Sequence, residues 1–140
     1  MIKKLNIIKH KFTIIICLAV LILSVTRGSN LPKITVQNID KIVHILFYFA
    51  IGAAMFLDYF LENHKFSFNR KNLLVFLLFP LIYGAIIEVI QGFLPHRTAE
   101  WLDLLSDFIG GLLATVFFYF FRKKITFFLI NHINIVHRIG

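Results

Sequence analysis

The chain has 140 residues, 59% of them hydrophobic, with a mean hydropathy of +0.81 and a formal net charge of +8. A single domain this small buries too little surface to hide so much apolar side chain, which excludes an ordinary soluble domain and points to a membrane protein. The basic residues sit at the ends of apolar runs rather than in one stripe, so membrane orientation accounts for the charge and no nucleic-acid partner is expected. The single cysteine, Cys17, lies inside the first apolar run, which leaves no disulfide framework or cysteine-based zinc cluster.

Four apolar stretches follow in order: residues 12–26, 42–57, 73–94 and 104–121. The third is long enough, at about 1.5 Å per residue, to cover the ~30 Å hydrocarbon core. The first reaches only about 22 Å, so Lys9 and Lys11 are expected to snorkel, or the helix to begin nearer Ile7. Its basic start also fits an export signal, but Ser24-Val25-Thr26-Arg27 makes a poor cleavage site and a retained helix is the better reading.

Lysine and arginine set the expected orientation. With the N-terminus cytoplasmic, eleven fall on the inside, in the N-terminal segment, in Lys65, Arg70 and Lys71, and after residue 121. Only Arg27, Lys33, Lys41 and Arg97 fall outside. This asymmetry predicts four transmembrane helices in the cell membrane with both termini cytoplasmic, and extracytoplasmic segments 27–41 and 95–102.

Pro80 is expected to kink the third helix, with Gly84 one turn on. Ala50/Ala54 and Gly110/Ala114 are small residues spaced by four, suited to close helix approach. After the basic run Arg122-Lys123-Lys124, Ile125, Phe128, Leu129, Ile133 and Val136 recur on one face, opposite Asn131, Asn134, His137 and Arg138. That pattern predicts a short amphipathic interfacial helix, with His132 tolerated on its apolar face. The fold class is therefore all-α, with a four-helix membrane domain over residues 1–121 and a basic amphipathic tail over 122–140.

The polar residues inside the apolar stretches gather on faces. At about 100° per residue, Asp40, His44 and Tyr48 share one face of the second helix, Gly84, Glu88 and Gln91 one of the third, and Asp103, Asp107, Gly110 and Ala114 one of the fourth. His44, Glu88 and Asp107 also fall about 6–9 Å from the expected outer helix ends, so they can form one layer rimmed by Asp40, Lys41, Gln91, Asp103 and Arg97. A carboxylate at a lipid-facing helix centre costs about 2.5–3.5 kcal/mol, which favours a shared site. The plainer alternative is a set of ion pairs that fixes helix register.

Candidate chemistry follows from these residues. His44, Glu88 and Asp103 are the catalytic candidates, with His44 and Glu88 placed as a general acid/base pair. Asp40, Lys41, Tyr48, Gln91, Arg97 and Asp107 are candidates for substrate binding. Asp103 and Asp107, one turn apart, can with Glu88 hold Mg²⁺ or another hard cation, but that spacing is common by chance and no metal ligand is assigned. Ser106 lacks a nucleophile elbow and lies off the Asp103/Asp107 face, which argues against a serine triad. Cofactor, enzymatic activity and oligomeric state are left unassigned.

The run Asp40-Lys41-x-x-His44-x-x-x-Tyr48, with Glu88-x-x-Gln91, Arg97 and Asp103-x-x-x-Asp107-x-x-Gly110, resembles the VanZ-like family of small bacterial membrane proteins. The resemblance covers residues 12–121 and implies a multi-pass membrane protein, linked in some members to glycopeptide tolerance. Members often carry asparagine where this chain has Asp107, and the C-terminal tail lies outside the shared pattern. The expected role is binding, or acting on, a cell-envelope lipid head group or lipid-linked precursor, with Lys41 and Arg97 on phosphate. The alternative is a non-enzymatic scaffold or accessory subunit whose polar layer sets packing.

Overall fold

A computed structural model describes the backbone of residues 7–26, 39–63, 69–95 and 100–139, and side chains over 9–26, 39–63, 69–95 and 100–131. The described residues are helical with no strand: a 3-10 turn Ile7–His10, then α1 (Lys11–Val25), α2 (Ile39–Asn63), α3 (Arg70–Gly92) and α4 (Trp101–Ile139). Three helices contain segments long and apolar enough to cross a bilayer: Ile39–Asn63, Arg70–Gly92 and Trp101–Asn131. At 15 residues α1 is shorter, about 22 Å. The 3-10 turn extends its start back to Ile7.

Few large apolar side chains are buried, while Ile15, Leu46, Ile82, Val89 and Phe120 face outward. Lipid solvates such faces, so close van der Waals fit and polar contacts must hold the helices together. α2 and α4 make the most extensive contact, and small residues allow it. A Cβ placed on Gly52 would stand 2.5 Å from Ala114 Cβ, and one on Gly110 would run into the Ile45 carbonyl oxygen and lie 3.0 Å from Tyr48 Cβ. Gly110 and Ala114 thus serve the close approach expected of them, with Gly52 an additional contributor. α3 runs unbroken through Pro80, whose ring lies against Gly111, where an added Cβ would meet it at 3.0 Å.

Two apolar clusters stand at different levels. Val20, Tyr48, Ile51 and Ile87 join α1, α2 and α3. Phe56, Phe60 and Phe76 form the other, and Phe118 stacks on Phe56 at 4.2 Å between ring centroids. Ile125 and Leu129 also pack on this second cluster.

The C-terminus differs here from the sequence expectation. No helix end follows Phe121: α4 runs unbroken through all 39 residues of Trp101–Ile139, and the Ile125/Leu129 face meets the bundle. The basic run contains good helix formers and neither Pro nor Gly, so charge alone does not end the helix. Arg122 donates to the Tyr119 carbonyl at 2.7 Å, with its guanidinium 4.5 Å from that residue's ring centre. The side chains of His132, Ile133, Asn134, Val136, His137 and Arg138 lie outside the described set.

α1 is held by a carboxylate that sequence analysis did not single out. Asp58, buried in α2, accepts from the Phe12 amide (3.2 Å), the Thr13 amide (2.8 Å) and the Thr13 hydroxyl (2.7 Å). It therefore satisfies amides that the first turn of a helix leaves free and places negative charge at the positive end of the helix dipole. Lys9 pairs with Glu62 beside it. Toward the other end, Tyr83 donates to the Cys17 carbonyl at 2.6 Å and Gln91 to the Ser24 carbonyl at 3.0 Å. Replacing Asp58 by Ala is expected to cost about 1–3 kcal/mol and lower the melting temperature in detergent, with Asp58→Asn between the two. Equal melting temperatures for wild type and Asp58→Ala would show that this cap does not hold α1.

Candidate functional site

The polar faces of α2, α3 and α4 converge at the end of the bundle that contains the first turns of α2 and α4 and the last turns of α3. His44 Nδ1 lies 2.7 Å from Asp107 Oδ1, and Nε2 lies 3.9 Å from Asp103 Oδ2. Asp107 is fully buried, whereas His44 retains 13% side-chain exposure. The ring of His44 is stacked with that of Tyr48, with centroids 6.4 Å apart and planes at 5°. Tyr48 is buried one turn deeper along α2, so it underlies His44 rather than standing at the rim.

Gly84 makes room for this arrangement. A Cβ at that position would stand 2.6 Å from Asp107 Oδ2 and 3.1 Å from Asp107 Cβ. The backbone of α3 therefore presses directly on the carboxylate. Glu88, one turn further along α3, accepts the backbone N–H of Glu100 on Oε2 at 3.0 Å. Glu88 Oε1, Asp107 Oδ2 and the Tyr48 hydroxyl are buried and make no hydrogen bond.

Lys41 organises the rim. Its ammonium bonds Asp40 at 2.8 Å, Glu100 at 2.7 Å and Asp103. All three of its N–H donors thus have carboxylate acceptors, and Asp103 is shared between Lys41 on one oxygen and the His44 side on the other.

The candidates from the sequence divide accordingly. His44, Glu88 and Asp107, expected in one layer, come together, and Asp103, expected at the rim, joins them while bonding Lys41, with Asp40 beside that lysine. Gln91 is buried and turned to α1 through its bond to Ser24. Arg97 lies outside the described residues. Ser106 donates to the Leu102 carbonyl of its own helix at 2.8 Å, as a structural hydroxyl does. Glu100 was missed, although an acid just before a helix at Trp101 carried a signal: negative charge is favourable at a helix start.

A sequence model described as VanZ/LLP1 matches residues 3–122. The chain belongs to the VanZ/LLP1 family. That match includes every residue of the His44 cluster and ends at Arg122, within α4. No curated protein and no solved structure gives a significant match. Membership in the VanZ/LLP1 family and the apolar helices agree on a membrane protein.

The Gly84–Asp107 contact yields a sharp expectation for this VanZ-family site. Gly84→Ala forces the carboxylate off the His44 ring and is expected to cost about 1–3 kcal/mol by overpacking, lowering the melting temperature while helical circular dichroism is retained. An unchanged melting temperature would mean that α3 does not press on Asp107 as described.

Proposed function

We propose that the protein is a four-pass cell-membrane protein with both termini cytoplasmic, and that its outer polar cluster binds, or acts on, the head group of an envelope lipid or lipid-linked cell-wall precursor. The observation that carries this reading is the cluster of buried Glu88, Asp103 and Asp107 around the partly buried His44, in which two carboxylate oxygens have no hydrogen-bond partner. Helix packing rewards satisfied polar groups, and buried unsatisfied ones oppose it. A group retained at that expense is more readily explained by a ligand than by assembly. In this reading His44, Glu88 and Asp103 contact the ligand or move a proton, and Lys41 meets a phosphate by exchanging one of its three carboxylates. A change in glycopeptide tolerance is the cellular effect that the family resemblance suggests.

The second reading is a scaffold or accessory subunit, favoured by the Lys41 clamp, which ties α2 to the start of α4 with every donor used. Native mass spectrometry of the wild type and of His44→Ala and Asp103→Asn, purified from their own membranes in mild detergent, separates the two. The site reading expects a phosphate-bearing envelope lipid on the wild type, lost from both variants at unchanged protein yield. An identical lipid profile in all three, or loss only in step with yield and melting temperature, would support the scaffold instead.

A further inference from the structure

The most specific feature of the cluster is the way His44 is held. An ionised carboxylate only accepts, so with Asp107 charged the Nδ1–H of His44 donates to Oδ1 at 2.7 Å, which leaves the Nε2 lone pair facing the opposite way. There Nε2 meets Asp103 Oδ2 at 3.9 Å, too far for a hydrogen bond. Ligand atoms of His44, Glu88 and Asp103 all lie within 4.8 Å of one another, contributed by three different helices. A carboxylate behind a histidine, with the other ring nitrogen turned to a group of oxygen ligands, is the arrangement by which proteins orient metal-binding imidazoles.

We infer that His44 Nε2, Glu88 and Asp103 form a binding site for a divalent transition-metal ion, with Asp107 as the residue that orients His44. The burial of Glu88 and the spacing of the ligand atoms both support it. Glu88 is only 8% exposed and its Oε1 is buried without a hydrogen-bond partner, and among the described residues Lys41, the ammonium at this end of the bundle, is committed to Asp40, Glu100 and Asp103. A bound cation supplies the missing partner. The spacing is also suitable, because two ligands on one tetrahedral ion stand roughly 3.4 Å apart for bonds of about 2.0–2.2 Å, so a closure of about half an ångström brings His44 and Asp103 into range.

The donor set narrows the ion. One imidazole with two carboxylates suits Zn²⁺ or Mn²⁺ better than Ca²⁺ or Mg²⁺, which favour all-oxygen surroundings. Three protein ligands leave a coordination position for water or an anionic oxygen. A second acidic group, Asp40 with Glu100 and Asp103, is a poorer candidate, since Lys41 already occupies its centre and two of its members are exposed. The site also differs from the pairing of Asp103 with Asp107 that helical spacing alone suggests: Asp107 stands behind the histidine, and His44 takes the ligand position.

Metal binding by the purified full-length chain tests this without reference to any lipid, so its outcome is independent of the envelope-lipid reading. After chelation, Zn²⁺ and Mn²⁺ are titrated separately while melting temperature, the fluorescence of Trp101 and metal content after desalting are followed. Wild type is expected to retain about one ion per chain and to melt at a higher temperature with metal, because an ion that binds only the folded state stabilises it. His44→Ala, Glu88→Gln and Asp103→Asn should lose that shift, and Asp107→Asn should weaken affinity by about 10–100-fold. Glu62→Gln, at the far end of the bundle, should bind as wild type does. Glu88→Gln keeps the test sharp: the amide oxygen can still accept the Glu100 N–H while the buried charge is removed, so the metal-free protein should be at least as stable as wild type, yet insensitive to metal. Failure of the wild type to bind either ion, or wild-type affinity in Glu88→Gln or His44→Ala, overturns the assignment.

Discussion

The close approach of α2 and α4 is the constraint on which the rest of the molecule depends. Gly52 against Ala114, and Gly110 against the Ile45 carbonyl and Tyr48, leave no room for a further methyl group between the two helices. At that separation His44 on one helix reaches Asp107 and faces Asp103 on the other. α3 completes the cluster from the third side, where Gly84 lies against Asp107 and Glu88 reaches the amide of Glu100. In a lipid environment, where apolar burial gives little net drive for helix association, small residues and interhelical polar contacts carry much of the specificity.

The two ends of the bundle use carboxylates in opposite ways. Asp58 is paired with two backbone amides and a hydroxyl, a neutral donor set that caps α1 and satisfies the carboxylate. At the other end Glu88 and Asp107 each retain an oxygen without a partner. The chemistry of the side chain is the same, but one environment is complete and the other is open. That contrast separates an assembly contact from a site, and it supports placing function at the His44 end. Depth reinforces the point, because Tyr48 closes the floor beneath His44 while Asp40 and Lys41 stand above it.

α4 shows how tertiary packing overrides a local charge signal. A run of three basic residues after an apolar span ordinarily marks the membrane boundary, and here it lies within one continuous helix. Ile125 and Leu129 fall on the face that meets Phe56, Phe60 and Phe76, so packing continues past the charges while they point elsewhere. Of the residues that periodicity put on the apolar face, Ile125 and Leu129 pack on the bundle and Phe128 is exposed. Periodicity could not say whether that face lay on lipid or on protein, since both are apolar surroundings.

Much of the architecture was legible in the letters. Hydropathy exposed the apolar stretches, and a helical period of 3.6 placed His44, Glu88 and Asp107 on polar faces at a common depth with Asp103 at the rim above them, because lipid forces polar groups in a span toward one another. Which of them touch was decided only by the fold. Spacing grouped Asp103 with Asp107 as neighbours on one helix, yet Asp107 turns under Gly84 to hold His44 while Asp103 divides itself between Lys41 and the site. Gln91 shared a face with Glu88 and still bonds α1, and Asp58 and Glu100 carried no motif that announced their partners. A one-dimensional pattern determines which face of a helix is polar; rotation and separation of three helices, set by where glycine and alanine let backbones approach, determine what each polar atom meets.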